Sequence, residues 1–295
     1  MYFEYAIPVK LSILDGWLDA HMQEAVEDVY LLCILVGFGA DRNRVYYRDA
    51  ESGLFYGADT ASSAGKAQEL GIYSANGAVF AFETDIAAAE RSPYALLMPG
   101  SEHPVVHAGE AGSAELLPDV VLAALGYRDE MPAILPEGDG AIKCVGTQYS
   151  ILVDADSRVS YRYTDFLPPA EERETLGEAD MIERARVIAA DTVGSACGDA
   201  EVFFESFEYS SGVYTVCFGY YIAGGRIHLY DDVFAARVSF LSGTVTAVEL
   251  VFRSFAPTGE TSSLLPERQA FAASNGSFVL SYSDTGAGLM QPFWH

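Results

Sequence analysis

Apolar and polar residues alternate along residues 212–255 in a way few other parts of the chain match. Tyr214, Val216, Phe218, Tyr220 and Ile222 take one set of alternate positions, and Val213, Thr215, Cys217, Gly219 and Tyr221 take the other. That is the period-two signature of a strand. Ala223-Gly224-Gly225 marks a turn, because glycine enters positive φ without steric cost. Ile227 and Leu229 resume the alternation, and residues 238–241 and 245–255 add two β-rich runs around Ser242-Gly243. The pattern predicts a four-strand antiparallel meander.

Elsewhere the period changes. Residues 17–36 predict a helix with Gly37 as its C-cap, and Ala25, Val29, Leu32 and Val36 share one of its faces. Residues 45–47 and 54–56 predict short strands, and residues 62–70 one or two helical turns. Asn76-Gly77 suits a type I′ turn between residues 72–73 and 79–82. Residues 94–106 read as loop and extended chain. Residues 111–127 predict a helix with Ser113 as N-cap, Pro118 near its start and Gly126 at its end. Three strands follow, at 141–145, 149–153 and 159–163. Residues 167–177 read as a linker. A helix over 178–193 carries Ile182, Ala185, Ala189 and Val193 on its apolar side. A short helix at 265–273 and a strand at 278–282 end the chain. Helix then antiparallel strands occurs twice, so the expected fold is α+β: repeated helix-plus-antiparallel-sheet units behind an N-terminal α/β domain. The expected division is 1–112 for that domain and 113–295 for the rest, with units 113–166 and 178–295 joined by linker 167–177.

Composition narrows the function. Seventeen basic residues against 42 acidic give a net charge of −25. Such a surface repels nucleic-acid backbones and anionic headgroups, so no nucleic-acid partner is expected. Half the residues are hydrophobic, which marks a folded chain. The four cysteines form no C-x-x-C pair, and Cys33 and Cys217 lie in apolar runs as core residues do. The apolar run at 29–40 is shorter than the roughly 20 residues a membrane-spanning helix needs. The chain as it stands is expected to be soluble.

Each sharp chemical motif has a simpler explanation. Gly37-Phe-Gly39 lacks the third glycine of a dinucleotide loop, where Arg42 stands. His103 and His107 have helical metal-pair spacing, but Pro104 and two valines between them favour extended chain, so no metal is expected. Asp154-Ala-Asp156 starts like a calcium loop, but Val159 takes the glycine position and Asp165 the final glutamate. Asn275-Gly-Ser277 matches a glycosylation sequon and also suits a turn. Asp284-Thr285-Gly286-Ala287 is the aspartic-protease tetrapeptide, which works as two carboxylates sharing a proton. One copy is present, and eight residues follow it. A dimeric protease using Asp284 is therefore the weakest reading. No catalytic residue and no cofactor are expected. Tyr220, Tyr221 and Tyr230 are the candidate interaction residues, since tyrosines suit recognition. Their alternative role is in a small-molecule or peptide-binding module.

Several segments resemble the YycH/YycI-like regulators of Gram-positive bacteria. Val121-Leu-Ala-Ala-Leu-Gly-Tyr127, then Tyr149-Ser-Ile-Leu-Val153 and Val159-Ser-Tyr161, are similar to that family's helix, turn and following strands. Tyr214-Thr-Val-Cys-Phe-Gly-Tyr220, Gly225-Arg-Ile227, Ala236-Arg-Val-Ser-Phe240 and Gly243-Thr-Val245 resemble its central strands, with Arg226 where the family often has proline. Leu264-Leu-Pro-Glu-Arg-Gln-Ala270, Ser281-Tyr-Ser-Asp-Thr-Gly286 and Pro292-Phe-Trp294 resemble its end. The likeness covers residues 113–295. It implies a non-enzymatic, extracytoplasmic regulator, membrane-anchored by an N-terminal helix missing from this chain. It also implies two partners, a sensor histidine kinase of a cell-wall two-component system and a paralogous YycI-type regulator.

Overall fold

The computed structural model describes residues 2–13, 29–38, 43–59, 77–84, 90, 93–111, 116–127, 131–165, 176–274, 279–284 and 288–295. They group into two compact units, Met1–Ala78 and Val79–His295.

In the first unit, strands β1 (Tyr2–Lys10), β2 (Tyr30–Phe38), β3 (Asn43–Asp49) and β4 (Phe55–Asp59) form an antiparallel sheet in that order. Val9, Leu31, Cys33, Ile34 and Tyr47 are buried in it. Residues 30–36 are thus strand, and the helix expected there is corrected; its beginning lies outside the described residues. The physical reason is that an unbroken apolar run has no period to read, so a strand that is apolar on both faces looks like an apolar helix. Gly37 caps no helix; it lies under the ring of Tyr46. The helical turns expected at 62–70 and the first arm of the Asn76-Gly77 hairpin also fall outside the described residues.

The second unit begins with β5 (Val79–Phe80), β6 (Leu96–Leu97), β7 (Glu102–Glu110) and helix α1 (Leu117–Ala124). Next come β8 (Ala133–Pro136), β9 (Ile142–Val145), β10 (Tyr149–Val153), β11 (Arg158–Tyr163) and helix α2 (Glu178–Ala189). Then follow β12 (Glu201–Ser210), β13 (Val213–Ile222), β14 (Gly225–His228), β15 (Ala236–Leu241), β16 (Thr244–Val251) and β17 (Arg253–Ser263). Helix α3 (Glu267–Ala273) and strands β18 (Leu280–Ser283), β19 (Leu289–Met290) and β20 (Pro292–Trp294) complete it.

One 11-stranded sheet dominates, in the order β20-β18-β14-β13-β15-β16-β11-β10-β9-β8, with β12 also on β13. This overturns the expected repeat of helix-plus-sheet units and makes the fold sheet-dominated. The cause is the pairing of β11 with β16, Tyr161 opposite Val248 and Val159 opposite Leu250. That ladder fuses the strands of both expected units into one sheet. Two buried rows cross it: Val153, Val159, Leu250, Ala236 and Phe218, and beside them Ile151, Tyr161, Val248, Val238 and Val216. Helix α1 packs on β10 and helix α2 on β13 and β15. Both cover this inner face, with Val121 and Leu122 of α1 and Met181, Ile182, Ala185 and Ile188 of α2 buried. Each large apolar side chain so enclosed contributes about 1.5–3 kcal/mol.

The expected meander is also modified. At Tyr220 the neighbours of β13 are Val202 and Ile227; at Val216 they are Phe207 and Val238. A strand has two edges, and β12 fills one of them along its length. β14 and β15 therefore lie end to end along the other. Between them the chain makes an excursion through Tyr230–Asp232, where Asp231 takes φ 65°.

A smaller sheet, β17-β7-β19, forms because β17 leaves the main sheet after Val251 and pairs with β7, Phe255 opposite Ala108. His103 and His107 both lie in strand β7, not on a helix.

Candidate functional site

The outer face of the main sheet, opposite the helices, is polar. Arg162 and Arg237 reach Glu249 from its two neighbouring strands, at 3.1 and 3.5 Å. These exposed pairs hold little free energy, about 1 kcal/mol at most each. At one end of this face the chain does something unusual. Phe204 is opposite Phe218 and Ser206 is opposite Cys217, so Glu205 is an extra residue, a β-bulge. A bulge re-aims its side chain. Here it lays the Glu205 carboxylate across β13 over Gly219, where a Cβ would overlap it. Arg226 on β14 receives it in a two-pronged pair, Nε donating to Oε1 at 2.7 Å and the second nitrogen to Oε2 at 2.5 Å. The carboxylate is 8% exposed. Phe203 sits beside it, edge-on to Tyr221 at 5.2 Å. Burial, then the nearby Glu205 charge, push the Tyr221 phenol up to about 12.

The edge of β12 that faces away from β13 follows from the two hairpins flanking β13. Ser211-Gly212 is a two-residue turn with both φ positive, closed by the pair Ser210–Val213. Such a turn closes on a hydrogen-bonded pair, and hydrogen-bonded pairs then alternate along the ladder. Phe207 and Tyr209 therefore turn their N–H and C=O groups outward. Ala223-Gly224 closes on Ile222–Gly225 in the same way and places Val202 outward before the bulge. Among the described residues no strand pairs with this edge, and it contains no proline.

The two ends of the sheet path differ from it. At β8, Glu137 donates to Ala141 at 2.8 Å, so residues 133, 135 and 137 bond to β9 and residues 132, 134 and 136 turn outward. Pro132 and Pro136 occupy two of those three places and have no N–H to offer. β20 is three residues long and starts with Pro292.

A cleft of about 210 Å³ opens where β11, β16, β17 and β18 meet the excursion between β14 and β15. Leu229, Val233 and Val251 wall it, and Glu110, Asp156, Arg158, Arg253 and Asp284 supply its charges. Arg253 donates from Nε to Oδ2 of the nearly buried Asp284 at 2.8 Å. Arg158 lies 3.7 Å from Asp231 at the rim.

The three tyrosines singled out by sequence are not brought together. Tyr220 is buried on the inner face at 1% exposure, its hydroxyl donating to the Val251 carbonyl at 2.8 Å. Tyr221 belongs to the outer face beside Glu205. Tyr230, 66% exposed, stands at the cleft. Sequence reasoning missed β12 altogether, and with it Phe203, Glu205 and Phe207. Asp284 is in the described residues, and the rest of its tetrapeptide is outside them. Among the described residues no cluster of three or more His, Cys, Asp or Glu side chains is arranged to hold a metal ion. Nor is any helix there long and apolar enough to cross a membrane. Comparison with known proteins finds no matching family model, curated protein or solved structure.

Proposed function

We propose that this chain is a non-enzymatic interaction module whose partner adds an extended segment to the outer edge of β12. One observation carries the proposal: a ten-residue, proline-free edge in a sheet whose path ends are blunted at both β8 and β20. An open edge of that kind is a template for a further strand, in which main-chain bonds supply affinity and side-chain contacts supply selectivity. The non-enzymatic part is supported by Asp284, whose Oδ2 is taken by Arg253, a poor arrangement for sharing a proton with a second carboxylate. The resemblance to YycH-type regulators supports the same class, implies an extracytoplasmic location for the whole protein, and suggests the partners to try.

The test is retention of the extracytoplasmic part of the organism's sensor kinase, or of its YycI-type paralogue, on the immobilised protein. Retention that is lost in Phe207→Pro is the expected result. Retention of neither, or retention indifferent to that substitution, contradicts the proposal. Phe207 makes no ladder bond through its N–H, so proline there leaves the β12–β13 ladder intact; thermal unfolding checks that the variant is folded.

The cleft favours a second reading, a small-molecule site with Tyr230 as its aromatic wall. Thermal shifts with a metabolite and muropeptide panel, abolished by Tyr230→Ala, support it. A flat response counts against it.

A further inference from the structure

We infer that the segment taken up by β12 is basic, with two cationic side chains six positions apart on one face. The inference rests on the proposed strand addition and names the partner's chemistry. Glu201 and Glu208 are seven positions apart in sequence, a spacing that puts residues on opposite faces of a regular strand. The bulge at Glu205 absorbs one position. Glu201 consequently stands opposite Tyr221 and Glu208 opposite Thr215, and those two residues of β13 are six apart and share the outer face. Both carboxylates are exposed, and neither is paired with a cation among the described residues. They lie about 20 Å apart along the edge. Glu205, between them, is consumed by Arg226. The face that an added strand would extend is therefore acidic at both ends and apolar near Glu201, where Phe203 is 48% exposed.

A second copy of the chain fits this edge poorly. Two β12 strands paired antiparallel with Phe204 of each against Glu205 of the other set Glu201 of each opposite Glu208 of the other, and like charges directly opposite are destabilising. Each copy also carries a net charge of −25. A cationic segment meets the opposite situation. Its lysines or arginines reach Glu201 and Glu208, and an apolar side chain between them lies on Phe203.

Fluorescence anisotropy with labelled ten-residue peptides on the full chain tests this. The probe has two lysines six positions apart and one valine placed for Phe203, on a threonine background, in both chain directions. Two controls carry glutamine or glutamate in place of lysine. The lysine probe is expected to bind more tightly than the glutamine control and the glutamate control most weakly. Raising salt should shrink the gap, because exposed charges are screened. Glu201→Gln with Glu208→Gln should weaken lysine-probe binding about three- to tenfold and leave the glutamine control unchanged, the range expected of two exposed pairs. Equal binding of all three peptides, lost in Phe207→Pro, overturns the charge inference and leaves strand addition standing. Binding of none overturns both. A dimer in sedimentation that Phe207→Pro dissolves assigns the edge to a second copy and also overturns the inference.

Discussion

Gly219 is the residue on which the outer-face site depends. A side chain there would occupy the space of the Glu205 carboxylate. Gly219→Ala should therefore expel the carboxylate from its pair with Arg226. Breaking a mostly buried pair leaves both charges badly solvated, so a loss of about 1–3 kcal/mol in urea unfolding is expected. Arg226→Ala should cost a similar amount by stranding Glu205. At the cleft, Asp284→Asn removes the partner of the largely buried Arg253. That should lower stability by about 3 kcal/mol. The tyrosines make a separate statement. Burial raises the phenols of Tyr161 and Tyr220 above the ordinary range and lifts that of Tyr282 to about 12. A phenol raised in the folded state contributes stability that is intact below its unfolded value near 10 and lost as pH climbs toward the folded one. Unfolding free energy should be insensitive to these groups up to about pH 9 and fall between about pH 10 and 12. Absorbance of phenolate at rising pH should show late-titrating tyrosines ionising together with unfolding.

At the scale of elements, much of the chain was legible. Strands β9, β10 and β11, helix α2 and the strands of residues 212–255 follow from period and turn chemistry. The short helix α3 falls within residues 265–273, as expected. Of the elements that were not legible, two were hidden for different reasons. β2 is apolar on both faces, so its sequence has no alternation to detect. β12 does alternate, but in two phases: Val202 and Phe204 before the bulge, Phe207 and Tyr209 after it. The inserted Glu205 shifts the register by one, and a period-two reading across it finds nothing. The same insertion creates the site, so the feature that gives β12 its chemistry also concealed it. The edges carry an element-scale prediction. Pro132 and Pro136 blunt β8, where Ile134 and Leu135 are exposed. Replacing both prolines with threonine restores two outward N–H groups and should make the protein self-associate in light scattering. Unchanged scattering would show that the prolines serve some other purpose.

At the scale of the molecule, sequence order gave a poor guide to which strands are neighbours. Helix and strand runs recur along the chain and invite a reading as repeats. The long-range ladder between β11 and β16 joins them into one sheet, and only pairing that crosses about 90 residues reveals it. The same holds for the cleft, whose lining residues run from Glu110 to Asp284. The unit Val79–His295 contains this sheet, both covering helices and the β12 edge. Expressed alone, it should unfold cooperatively, since its core is internal to it; a non-cooperative melt would contradict that.

The central claim is that β12 receives a partner's strand along its outer edge. Amide hydrogen exchange of the full chain, with and without the bound lysine peptide, tests it most directly. The account predicts added protection at Val202, Phe207 and Tyr209, whose N–H groups point outward, and little change at Ser206 and Glu208, already bonded to β13. Protection confined to the cleft around Tyr230, or no change along β12 while the peptide is bound, would contradict it.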